Sequence, residues 1–160
     1  MYDKLAVYNL LDKNNIKYSY VEHPPVYTIE EVNKLNLDNE DKIVKNLFLR
    51  DNKKRFYYLI IMNKDTKVNL KELKTKLNSL PLTFASENDL YDYLKLTKGA
   101  VTPLGILNNE KNDVIVIIDN SILNNRIIGV HPNDNSATIW LNIDDLVTLI
   151  KKNKILYLDI

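Results

Sequence analysis

There is no cysteine in the chain, so disulfide staples, thiolate nucleophiles and cysteine metal sites are all excluded. Glycine is scarce, at 3 residues, and proline, at 5, gathers in clusters rather than marking a linker. Apolar runs such as Ile115–Ile118 are far too short to span a bilayer, which takes about 20 residues. The opening stretch MYDKLAVYNLLDKNN carries charges where a signal peptide needs an apolar core, so a cytoplasmic location and no membrane partner are expected. A large excess of one charge is also missing. The net charge of +1 lacks the basic surplus of many dedicated nucleic-acid binders, so any RNA contact must be local.

What is present suits an ordinary globule. The 160 residues match the size of one domain, expected to span 1–160. A chain of that length buries roughly two thirds of its unfolded surface without a staple. Hydrophobic residues at 45% and charged residues at 27% agree with this. The many asparagines and lysines read as a compositional bias without functional meaning.

Helical and strand periods interleave. Tyr2–Asn14 has helical spacing through Leu5, Tyr8 and Leu11, and Ile16–Glu22 alternates as a strand. His23-Pro24-Pro25 forbids helix and imposes an extended entry. Thr28 with Glu31 has the form of a capping box, predicting a helix from Ile29 to Leu37. Lys42–Arg50 and Arg55–Met62 flank Asp51-Asn52-Lys53, a hairpin signal. Asn69 opens a helix to Leu77, and Ser86 opens another ending near Gly99. Asp113–Asp119 is β-branched throughout and reads as a buried strand. Arg126–Val130 and Ala137–Leu141 are short strands around a loop, Asn142 caps a helix to Lys152, and Ile155–Leu158 is a last strand. The expected architecture is α+β: one mixed central sheet surrounded by helices.

Three features stand out chemically. In the strand Ile43–Leu49, alternation places Lys45 on one face with Ile43, Leu47 and Leu49. A lysine there either snorkels from an edge or supplies a fixed positive charge and three donors inside a pocket. Such a charge can hold an ester carbonyl or a developing oxyanion. Asn46 falls on the opposite face, where a structural hydrogen bond is the favoured role and a substrate contact the alternative. Gly99-Ala100-Val101-Thr102-Pro103 follows a helix; it is either a helix stop with a turn or a rim clamping a small ligand through backbone groups. His131, before Pro132, is a structural hydrogen-bonder or a pocket wall, while His23 organises the Pro24-Pro25 turn. HExxH, Walker-type and GxSxG patterns are lacking, and the pairs Glu30/Glu31 and Asp144/Asp145 sit at helix starts, where the helix dipole explains them.

In order, HPPVYTIEE (His23–Glu31), KNLFLRD (Lys45–Asp51), KGAVTPLG (Lys98–Gly105) and HPNDNSAT (His131–Thr138) resemble the superfamily of YbaK and prolyl-tRNA-synthetase-associated editing domains. The similarity is nearest to the freestanding alanyl-tRNA(Pro) deacylases of the ProX (PrdX) type and covers essentially the whole chain. The resemblance implies hydrolysis of the ester between alanine and the terminal adenosine of tRNA(Pro). It implies a single α+β domain with no metal or cofactor, and the acceptor end of mischarged tRNA(Pro), with prolyl-tRNA synthetase, as partners. A monomer is expected. Lys45 matches the family's essential lysine, Gly99 to Pro103 its GxxxP pocket loop, and His131 a pocket histidine. Val26, Tyr27, Glu31 and Val32 fall where the family's second helix and its lead-in shape the pocket mouth. The alternatives are a Cys-tRNA deacylase of the YbaK type, a non-catalytic aminoacyl-tRNA or amino-acid sensor, and a structural domain in which Lys45 merely snorkels.

Overall fold

The small supply of glycine leaves the chain to turn corners with other residues, and asparagine does most of it. Asn15, Asn36, Asn39, Asn78, Asn112 and Asn133 all take positive φ, a region asparagine tolerates because its short side chain bonds locally. Asparagine therefore has a structural use here that a compositional bias does not convey.

The computed structural model describes residues 1–160. Five α-helices form: α1 Lys4–Lys13, α2 Ile29–Lys34, α3 Leu70–Leu77, α4 Glu87–Leu94 and α5 Ile143–Ile150. Eight strands accompany them: β1 Tyr18–Glu22, β2 Val44–Asp51, β3 Tyr57–Asn63, β4 Leu82–Phe84, β5 Ile115–Asp119, β6 Ile127–Val130, β7 Ala137–Asn142 and β8 Ile155–Leu158. The helix starts are those the caps announce, since Thr28, Asn69, Ser86 and Asn142 each accept a main-chain N–H with their side chains. α3 ends at Leu77 as expected, but other ends come early. α2 stops at Lys34, with Asn36 left-handed just beyond it, and α4 stops at Leu94 because Lys95 turns left-handed.

The expected single sheet is two. β4-β2-β3-β5-β8 form a five-stranded mixed sheet, with β2 antiparallel to β3 and β5 parallel to both β3 and β8. β1-β7-β6 form a separate antiparallel sheet of three. The two sheets touch at one parallel bridge, Ile43 to Gly129. The main core lies between them: Phe48, Leu59, Ile61, Val116 and Ile118 of the large sheet meet Ile128, Ile139 and Leu141 of the small one, with α1, α4 and α5 closing the sides. The other face of the large sheet is covered by α3 through Leu73, against Leu49, Ile60, Met62 and Ile117. Each such side chain contributes about 1.5–3 kcal/mol on leaving water. A third, small cluster of Val26, Val32, Ile43 and Trp140 sits where the sheets meet.

The unanticipated pieces are short. β4 is three residues at the edge of β2, and a 3-10 stretch, Pro103–Asn108, follows the glycine-containing loop.

Candidate active site

The junction of the two sheets leaves a cavity of about 250 Å3. Val26 and Val32 on one side, Ile43 and Val44 at the start of β2, and Val130 on β6 give it an apolar floor. Lys45, Asn46, Thr28, His131 and Thr138 add polar groups.

The loop after β6 organises this place. Its Asn135 accepts the Val26 N–H on its carbonyl at 3.1 Å and donates its side-chain amide to the Val26 carbonyl at 2.9 Å. The Ser136 carbonyl takes the His23 N–H at 2.9 Å, fixing the Pro24-Pro25 lead-in. On the other side, the buried Thr102 hydroxyl donates to the His131 carbonyl at 2.6 Å, and Asn133 donates to the Leu104 carbonyl at 3.2 Å. One loop thus ties down both the HPPVY and the GAVTP segments.

Two glycines are required by close approach. Gly99 has φ +83°, and a Cβ there would lie 2.6 Å from Tyr27 Cδ1, so the loop and the α2 lead-in meet across it. At Gly129 a Cβ would come within 2.8 Å of Ile43 Cγ1 and 2.9 Å of Trp140 Nε1, which would part the two sheets.

Among the candidates from the sequence, Lys45, Asn46, Val26, Tyr27, Val32, Gly99, Val101 and His131 all line the cavity. Ala100, Thr102, Pro103 and Glu31 do not. Ala100, Thr102 and Pro103 are buried behind the rim as its support. Glu31 accepts the Tyr27 N–H at 2.9 Å and so fixes the entry to α2; the reciprocal bond of its expected capping box goes to Tyr27 instead of Thr28.

Lys45 and Asn46 are successive strand residues, yet both reach the cavity because it wraps the free start of β2. Asn46 is therefore more than a remote prop. Its amide donates to the Val101 carbonyl at 3.4 Å, and its Oδ1 is buried without a partner. Lys45 pairs with Met62, on the α3 side of the sheet, and its ammonium donates to the Thr66 carbonyl. An ammonium has three N–H donors, so this tether leaves two for other acceptors.

His131 is held in one tautomer. Its Nδ1 lies 2.8 Å from the Ala137 carbonyl, which can only accept, so Nδ1 carries the proton and Nε2 keeps its lone pair. Burial holds its pKa below the ordinary 6.5; the Ala137 bond works against this, and nearby His23 adds to it. His23 itself bridges the Pro24 carbonyl and the Thr138 hydroxyl, each at 2.9 Å.

Ile43, Val44, Thr28, Ile29 and Thr138, none of them a candidate from the sequence, also line the cavity, as do Gly129 and Val130 beside His131. A signal existed for some: Thr138 ends the HPNDNSAT segment and Thr28 lies in HPPVYTIEE. No group of three histidine, aspartate or glutamate side chains converges to hold a metal ion, and no helix is long and apolar enough to cross a membrane.

The chain as a whole has known relatives. Residues 23–149 match the aminoacyl-tRNA editing domain family. The chain is 51% identical to the prolyl-tRNA editing protein ProX of Acetoanaerobium sticklandii over 150 residues, covering 94% of this chain and 92% of that protein. It is 34% identical over 140 residues to the prolyl-tRNA synthetase associated domain-containing protein 1 of Bos taurus, covering 85% and 81%. In fold it is similar to a crystal structure of a candidate trans-editing enzyme for prolyl tRNA synthetase, with a TM-score of 0.74 at 18% identity, covering 98% and 96%. With four-fifths of its length, the cavity included, inside the family match over residues 23–149, the chain belongs to the aminoacyl-tRNA editing domain family.

Proposed function

We propose that this protein is a trans-acting deacylase that removes the wrong amino acid from tRNA(Pro), with alanine as the acyl group. The observation that carries the reading is the single cavity of about 250 Å3 in which Lys45, Asn46, the Gly99 loop and His131 meet. That volume lies below the roughly 300–1,000 Å3 of pockets for drug-sized ligands, and it suits a small aminoacyl group.

The chemistry is undemanding. Water adds to the ester carbonyl carbon, the bond to the ribose oxygen breaks, and that oxygen takes a proton, giving free alanine and tRNA. An aminoacyl ester is already activated, so placement and charge stabilisation supply most of what is needed. Lys45 offers the two donors left by its Thr66 tether to the carbonyl oxygen as charge develops there. Asn46 sets the rim by holding the Val101 carbonyl. His131, neutral and with Nε2 unprotonated, accepts a hydrogen bond from the bound substrate. No carboxylate lines the cavity, so the neighbouring hydroxyl of the terminal ribose is assigned the task of orienting the water.

Selection is by size. A methylene-sized difference in an apolar pocket gives only about 10- to 200-fold discrimination, so glycyl and seryl esters are expected to leak through. The test is deacylation of Ala-, Pro- and Cys-tRNA(Pro) by the purified protein. Rapid release of alanine with prolyl ester intact is expected. Faster loss of cysteine would assign the protein to the Cys-tRNA deacylases, and survival of all three esters would leave a binding module.

A further inference from the structure

The cavity that takes the acyl group is too small to hold the nucleoside attached to it as well, so the nucleoside must lie outside. A second cleft, of about 450 Å3, adjoins the first and shares Asn46, Gly99 and Val101 with it. The other large clefts share no lining residue with the acyl cavity. Two of them also carry several carboxylates, Glu40, Asp41 and Asp65 in one and Asp92, Glu110 and Asp113 in the other, which repel phosphate.

The adjoining cleft exists because β2 is left uncovered. β4 pairs only with Leu49–Asp51, and the bridge to Gly129 involves Ile43 alone. Between them the last tie is the Ala85 N–H on the Phe48 carbonyl at 3.0 Å. Main-chain groups alternate sides along an antiparallel strand, so those of Asn46 point the same way as those of Phe48, toward a stretch with no strand opposite. An N–H and a C=O are open there for a base edge or a ribose hydroxyl. At the rim stands Phe84, 58% exposed, an aromatic with a free face. Lys98 lies at the same rim; its ion pair with Glu87 is 3.9 Å long with both side chains largely exposed, so the lysine can exchange that partner for a phosphate.

We propose that this cleft along the uncovered edge of β2 seats the 3′-terminal nucleoside of the aminoacylated RNA. Phe84 stacks on the base, Lys98 meets the phosphate on its 5′ side, and the ester lies over the Asn46–Gly99–Val101 wall. The proposal rests on the deacylase reading for its substrate, but its test has a separate arm.

Phe84→Ala and Lys98→Glu are measured for steady-state hydrolysis of Ala-tRNA(Pro), and adenosine 5′-monophosphate alone is titrated into the protein by NMR. Phe84→Ala is expected to raise KM about tenfold with kcat little changed, as the loss of one stacked base does when binding is uniform. Lys98→Glu should raise KM and reduce the slope of log KM against log salt by about 0.7. The nucleotide should shift amides around Asn46, Phe84 and Lys98–Val101, and Phe84→Ala should abolish those shifts. Unchanged KM in both variants, or nucleotide shifts clustered elsewhere, would overturn the cleft assignment. A wild type that leaves every ester intact while binding the nucleotide here would overturn the deacylase reading and keep the cleft.

Discussion

The two walls of the acyl cavity are held by different forces. The wall at Val130 and His131 is backed by the loop 131–136, which is fastened by hydrogen bonds on both sides, to His23 and Val26 in one direction and to Thr102 and Leu104 in the other. The facing wall is α2, only six residues long, with Tyr27 61% exposed and resting on Gly99. Its lead-in is tied to the loop by the two Asn135 bonds to Val26, but the helix itself is anchored by its caps at Thr28 and Glu31 and by the burial of Val26 and Val32. A rigid wall facing a lightly anchored one suits a site that must admit a tRNA end and then fit closely around a small acyl group, because hydrogen-bonded geometry keeps the reacting groups placed while the packed wall can yield.

The largest effect is expected on the rigid side. Thr102→Val deletes a buried donor and leaves the His131 carbonyl without its partner, which should cost about 1–3 kcal/mol in chemical denaturation and lower kcat. An unchanged midpoint would show that the loop holds without this tie. Gly99→Ala acts between the walls. Its positive φ is unfavourable for alanine by about 1–2 kcal/mol, and the added methyl meets Tyr27, so α2 should be displaced and KM raised more than stability falls. A crystal structure of that variant with Tyr27 unmoved would argue against the contact.

Two smaller effects sharpen the contrast. His131 has a folded-state pKa below 6.5, so the unfolded chain binds the extra proton first as pH falls. Its contribution to stability is therefore neutral above about 6.5 and turns destabilising as pH drops below it, levelling off under the folded-state pKa. Turnover should follow the same direction, flat from pH 7 to 8 and falling in acid, and His131→Gln should lose that component of both profiles. Smallest of all, Tyr27→Leu should change the unfolding midpoint by under about 0.5 kcal/mol, since the side chain is mostly in water, while shifting KM. A large stability loss would mean that α2 depends on the ring.

Local chemistry was readable and long-range pairing was not. The caps at Thr28, Asn69, Ser86 and Asn142, the hairpin around Asp51-Asn52-Lys53 and the β-branched run before Asp119 all announce themselves through side chains acting within a few residues. The ends of α2 and α4 are not legible because asparagine and lysine, at Asn36 and Lys95, take the left-handed turn that glycine usually marks. The division into two sheets was hidden because β1 pairs with β7, Tyr18 against Leu141, and nothing in either strand names the other. At the site, alternation placed Lys45 and Asn46 on opposite faces, which the pairing of Lys45 with Met62 and Asn46 with Ile61 agrees with. It did not reveal that the cavity folds around the strand's start, where opposite faces open on the same space. Asn135 was invisible for a related reason: its work is to bond a backbone carbonyl 109 residues away. Thr102, expected at the substrate rim, instead bonds the His131 carbonyl 29 residues away.

If this cavity hydrolyses the ester, the Lys45 charge is needed there. The most direct measurement compares single-turnover deacylation of Ala-tRNA(Pro) by the wild type and Lys45→Ala, with the fold of the variant checked by thermal unfolding. A folded variant slower by about 10²-fold or more is expected, the scale of losing one donor to a developing oxyanion. A folded Lys45→Ala that releases alanine at the wild-type rate would contradict it.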